Sequence, residues 1–156
     1  MGNELDRRVD DLERRLGLVE DLAAIQQLFV DYGHHLDRGD LDAYSELFAD
    51  EGEVLLGPLG RAKGREEIRA LMEPVLAGTT GNSFHLIANP VVDLAEGADR
   101  AQAEVTWAVI ARGEGGAPQL TMLGRHVDVL IRERGRWRIL RREGHIDLPS
   151  LYPNEG

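Results

Sequence analysis

The amino-acid sequence predicts an α+β fold in which helices pack on one face of a mostly antiparallel sheet. Two observations carry this reading. Apolar residues recur at steps of three and four through the first half of the chain, then give way after "TTGN" (79–82) to alternating runs split by turn-forming residues. Helices gathered ahead of strands, rather than interleaved with them, argue for α+β. A length of 156 residues suits one domain with one core.

The elements follow in chain order. "ELDRRVDDLERRLGLVEDL" sets Leu5, Val9, Leu12 and Leu16 on one narrow stripe, with both charge signs elsewhere. Such a helix is either a solvated arm or a surface for another subunit. Gly17 allows a break, so residues 1–17 are expected to be a helical extension, 18–150 the domain and 151–156 a tail. "VEDLAAIQQLFVDYGHHL" carries a wider stripe, Leu22, Ile25, Leu28, Phe29, Tyr32 and Leu36, as a core helix does. Asp40 is placed to cap a second helix, "LDAYSELFA". "DEGEVLLG" reads as a turn and a short strand. A third helix, "REEIRALMEPVLAG", brings Ile68, Leu71, Met72 and Val75 to one side. Four β-rich segments close the chain: "SFHLIANPVVDLAE", "AQAEVTWAVIAR", "LTMLGRHVDVLIRE" and "RWRILRREGHID".

Composition narrows the function classes. Hydrophobic residues at 42% and charged residues at 29% mark a globular chain rather than a disordered one. A formal net charge of -10 argues against a nucleic-acid or anionic membrane partner, since both need clustered Lys and Arg. With no cysteine there are no disulfides, thiolate nucleophiles or cysteine-ligated metals, which fits a reducing cytoplasm. No apolar run approaches the roughly 20 residues of a membrane span, and the charged N-terminus is unlike a signal peptide.

The chain lacks a phosphate loop, a nucleophile elbow and a metal-protease histidine motif. Its candidate groups are polar residues on apolar elements. Asp37 continues the line Phe29, Gly33, Asp37 at four-residue steps, so it can face inward. A solvated helix end would also carry an aspartate, although an acid there opposes the helix dipole. His85 shares a strand face with Ser83 and Ile87, as a hydrogen-bonded core histidine or as a base. His126 shares a face with Met122 and Asp128. Asp31 and His35 have the spacing of a metal pair, but no third ligand is visible and His34 points about 100° away. No metal site is expected. Tyr32 belongs to the apolar stripe and brings a hydroxyl. Trp107 and Trp137 read as core or pocket wall; Phe29, Tyr44, Trp107 and Met122 are the candidate pocket lining. Strand alternation places Arg138 and Arg142 outward against Trp137 and Ile139.

Taken together, "LAAIQQLFVDYGHHLDRGDLDAYSELFADEGEV", "GREEIRALM", "FHLIANPVVDL" and "GRHVDVLIRERGRWRILRREGHI" resemble the SnoaL-like branch of the nuclear transport factor two-like superfamily. Within it, the resemblance is to the scytalone dehydratase, hexachlorocyclohexane dehydrochlorinase and bile-acid dehydratase group. It spans roughly residues 18–148 and implies a cone: a curved sheet wrapped by three helices around an apolar pocket. It also implies a site. Asp37 in "HHLDRGD" and His85 in "SFHLIAN" match a dyad that takes a proton from carbon, and Tyr32 matches the tyrosine of the dehydratase pattern. His126 is the candidate second proton donor, although its alignment is uncertain. The steroid isomerase pattern fails, because "EVLLGPLG" offers no aspartate.

The expectation is a cofactor-independent lyase, isomerase or cyclase acting on an apolar cyclic molecule such as a polyketide, steroid or aromatic. A neutral imidazole is the natural base near neutral pH, and a carboxylate on its other nitrogen supports the imidazolium that forms. The rival is a non-catalytic module of the same fold, either a small-ligand carrier or a structural subunit. A homo-oligomer is expected, since both the open sheet and the first helix leave apolar surface uncovered; the resemblance implies a homodimer or homotrimer built through the sheet.

Overall fold

The computed structural model describes residues 2–148; the expected tail, 151–156, lies outside them. The elements are α1 (Gly2–Arg38), α2 (Leu41–Glu46), β1 (Phe48–Leu55), β2 (Arg61–Lys63), α3 (Arg65–Thr79), β3 (Ser83–Asp93), β4 (Arg100–Arg112), β5 (Pro118–Glu133) and β6 (Arg136–Leu148). The six strands form one unclosed sheet in the order β2-β1-β6-β5-β4-β3. All neighbours are antiparallel except β1 and β6. Three helices and a mostly antiparallel sheet are the α+β architecture expected.

The core lies between the helices and one sheet face. Ile25, Leu28, Phe29, Tyr32 and Leu36 from α1 and Ile68, Met72 and Leu76 from α3 meet Val105, Leu130, Trp137 and Ile139 from the strands. Asp40 caps α2 by accepting a hydrogen bond from the Ala43 backbone N–H at 3.0 Å. That helix is shorter than its sequence suggests. Phe48 and Ala49 are buried and begin β1 instead, with Phe48 paired to Ile139, so sheet pairing overrides local helical pattern.

Two other expectations are corrected. The break at Gly17 does not occur, and α1 runs unbroken for 37 residues. Glycine weakens a helix without terminating it. Arg142 does not face outward. Between Val129 and Leu130 of β5 the register with β6 shifts, so that Arg141 and Ile139 oppose consecutive partners and Leu140 is the extra residue. A bulge of this kind inverts the alternation beyond it, and Arg142 turns into the core with no solvent exposure.

A methyl group at Gly17 meets nothing within 4 Å, and its φ is not positive. Gly17→Ala should therefore stabilise the protein by about 0.5–1 kcal/mol, read as a raised urea midpoint with an unchanged slope.

Candidate active site

The end of α1 lies on the start of β3. Gly33 permits this approach: a Cβ there would sit 3.2 Å from Ile87 Cγ1 and 3.4 Å from the His85 carbonyl oxygen. One helical turn later, Asp37 Oδ1 accepts two hydrogen bonds from the same residue. The backbone N–H of His85 donates at 2.9 Å, and His85 Nδ1 lies at 2.8 Å. Both side chains are largely shielded, at 16% exposure for Asp37 and 18% for His85. A carboxylate only accepts, so the bond fixes the proton of a neutral His85 on Nδ1 and leaves a lone pair on Nε2.

His85 lines an apolar cavity of about 120 Å³ between the helices and the sheet. Leu36, Leu56, Met72, Val75, Val109 and Ile146 are among its apolar wall, and Tyr32, Trp107, Met122 and His126 also line it. Of the expected lining, Trp107 and Met122 are present. Phe29 and Tyr44 are buried behind it in the core.

His126 is buried at the cavity wall. Its ring stacks on Trp107 at 5.6 Å between centroids and meets Tyr32 edge-on at 5.3 Å. The indole fits because residue 124 is glycine. A Cβ there would run into the His145 carbonyl oxygen and come within 2.5 Å of the Trp107 ring. Burial first, then the charges of Arg142, His85 and His145, hold His126 well below the usual histidine range. It is neutral at neutral pH. Its Nδ1 is sealed without a partner among the described residues. An orphaned buried N–H is rarer than an orphaned acceptor, which places the proton on Nε2.

Behind Tyr32 lies an ion pair that the strand pattern hides. Arg142 donates to both oxygens of Asp128, at 2.8 and 2.6 Å, and neither side chain is exposed. Burial pushes the guanidinium down, but Asp128 more than offsets this and leaves it above its ordinary value. Its Cζ lies 4.1 Å from the centroid of the Tyr32 ring. This fixes Tyr32 between a cation and His126. The signal available in sequence was the match of Asp128 and Arg142 across β5 and β6, which a one-residue bulge conceals. Burial also pushes the Tyr44 phenol up, consistent with a packing residue.

The remaining candidates lie elsewhere. Asp31 accepts from Gln27 Nε2 at 2.8 Å, and no metal-binding group of three acids or histidines exists among the described residues. Trp137 is spent on Asp21, to which its Nε1 donates at 3.0 Å. Asp21 and Trp137 line a larger, open groove of about 550 Å³ between α1, α2 and the β5–β6 turn. That groove is lined by charged side chains of both signs, among them the Arg132–Asp21 pair, and Asp37 and His85 are not part of it.

Comparison with known proteins agrees with this architecture. The family model described as SnoaL-like domain matches residues 18–143. No curated protein matches the chain. An NTF2-like protein with a cystatin-like fold from Novosphingobium aromaticivorans is 28% identical, with a TM-score of 0.79 over 91% of this chain and 92% of that one. A candidate scytalone dehydratase from the same organism is 25% identical, with a TM-score of 0.72 over 87% and 89%. The beta subunit of a candidate aromatic-ring-hydroxylating dioxygenase, also from Novosphingobium aromaticivorans, shares the fold at 21% identity, with a TM-score of 0.71 over 88% and 95%.

Two outcomes follow from the buried groups. Asp128→Asn leaves the Arg142 cation unpaired in the core and should cost about 3–5 kcal/mol in urea denaturation. His126 has a folded pKa below its unfolded value near 6.5, so below that pH the unfolded chain binds a proton that the folded chain refuses. Stability should fall as pH drops from about 7 to 5, and His126→Gln should make that fall shallower.

Proposed function

The chain belongs to the SnoaL-like domain family, and from that membership and the Asp37–His85 pair we propose a cofactor-independent lyase or isomerase that removes a proton from carbon. The observation that carries the reading is the double acceptance by Asp37 Oδ1 from the backbone and ring of His85 at a shielded, apolar cavity. It supplies an oriented base with its lone pair free and a carboxylate to support the imidazolium.

The cavity supports a small substrate. An apolar cavity of roughly 150 Å³ holds benzene, so about 120 Å³ suits a single six-membered ring better than a fused polycycle. The substrate class is a monocyclic ketone with a leaving group on the carbon β to the carbonyl. His85 Nε2 takes the proton from the α-carbon. The C–H electron pair moves into the ring, and the carbonyl oxygen becomes an enolate oxygen. Tyr32 O–H and the neutral His126 Nε2–H donate to that oxygen, the uncharged imidazole serving as a hydrogen-bond donor. Loss of hydroxide, protonated on departure by the His85 imidazolium, forms the C=C bond and releases water. Without a leaving group, return of the proton to another carbon gives an isomerase.

The test begins with proton abstraction, independent of any leaving group. Incubation with cyclohexanone in D₂O should show enzyme-dependent exchange at the α-carbon, and 3-hydroxycyclohexanone should yield the conjugated enone, seen by its ultraviolet absorbance. His85→Gln and Asp37→Asn should each lower the rate by about 100-fold or more. The double variant should be little worse than either, because the two act as one unit. A folded His85→Gln protein with undiminished exchange would refute the assignment of the base; a wild-type protein that gives no exchange would favour a carrier or structural subunit of the same fold.

A further inference from the structure

The N-terminal stretch of α1 carries a pattern that the site does not use. Leu5, Val9, Leu12, Leu16 and Val19 are spaced by four, three, four and three residues. That is a period of about 3.5, the heptad seam of a coiled coil, rather than the 3.6 of a helix lying on a domain. All five are between 44% and 64% exposed, and residues 3–16 are exposed throughout. The stripe that packs on the domain begins only at Ile25.

In heptad terms, Leu5, Leu12 and Val19 occupy d, while Val9 and Leu16 occupy a. The flanking positions then separate by sign. Asp6, Glu13 and Glu20 fall at e, and Arg8 and Arg15 fall at g. Within the chain these flanking charges are almost unused. Among the described residues Asp6, Arg8, Glu13 and Glu20 form no ion pair, and Arg15 reaches Asp11 only at 3.9 Å. The arginine that is engaged is Arg14, on the far side of the helix at f, bound to Asp11 at 3.0 Å and to Glu96 at 2.8 Å.

Charge complementarity identifies the occupant of the seam. In a parallel pair, g of one helix faces e of the next heptad on the other. That sets Arg8 against Glu13 of the partner subunit and Arg15 against Glu20 of the partner subunit, each twice by symmetry. In an antiparallel pair g meets g and e meets e, so arginine faces arginine and acid faces acid. Val9 at a, between Leu5 and Leu12 at d, favours two strands. We propose that residues 2–22 of two copies of this chain form a parallel two-stranded coiled coil that joins the domains. The coil also gives a reason for an unbroken helix through Gly17, which takes the outward b position.

The test reverses the flanking charges on the full chain. Arg8→Glu with Arg15→Glu makes all four paired e and g positions acidic; Glu13→Arg with Glu20→Arg makes all four basic. All four residues are exposed, so circular dichroism should report folded domains in both variants. By light scattering at micromolar concentration, the wild type should have the mass of a dimer or a larger even multiple. Each charge variant should fall to half that mass, and mixing the two should restore it. A monomeric wild type, or a mass unchanged by charge reversal, would overturn the proposal. The unchanged mass would point instead to association through the outer sheet face, where Phe84, Leu86, Val91 and Leu120 are exposed.

Discussion

A single carboxylate oxygen ties the end of the first helix to the first long strand of the sheet. Asp37 Oδ1 holds the backbone N–H and the ring of His85 together, so the end of α1 and the start of β3 meet at one atom. An aspartate at a helix C-terminus is electrostatically unfavourable, and two hydrogen bonds to an ionised acceptor offset that. The rest of the site follows from this contact. Gly33 lets the helix approach the strand, the approach turns Ser83, His85 and Ile87 inward, and the cavity forms in the angle between helix and sheet.

The second constraint is a charge pair in the driest part of the core. Arg142 and Asp128 pair through two hydrogen bonds with no exposure to water. Such a pair contributes little to stability compared with apolar residues of the same volume, but removing one partner is costly. Here it has a local consequence. The guanidinium lies under Tyr32, and its positive charge adds to the burial that keeps His126 neutral. Two imidazoles of one cavity thus have different surroundings: His85 is bonded to a carboxylate, whereas His126 is buried near a cation.

Much of this was legible in the residues alone. The stripe from Ile25 to Leu36 and the alternation of "SFHLI" set α1 and β3 in register with the core, and those two elements carry the dyad. What stayed hidden depended on pairing between distant segments. The inward turn of Arg142 comes from one extra residue at Leu140, visible only once β5 and β6 are paired. The start of β1 at Phe48 rests on its partner Ile139, and the short β2 exists because β1 offers it an edge. Apolar character does not distinguish a cavity wall from the layer behind it, where Phe29 and Tyr44 lie. Trp107 reaches the wall because Gly124, opposite it on β5, leaves room for the indole.

The tautomer of His85 tests this account most directly, because both the architecture and the chemistry pass through it. Nitrogen-15 chemical shifts and long-range proton couplings of the histidine rings, recorded above neutral pH, distinguish the two neutral forms. The account predicts that His85 carries its proton on Nδ1, locked by Asp37, with Nε2 unprotonated. It further predicts that Asp37→Asn removes that lock, since the amide can both donate and accept. A His85 ring found protonated on Nε2 in the native protein would have no lone pair facing the cavity, and would contradict the claim that Asp37 and His85 form a base.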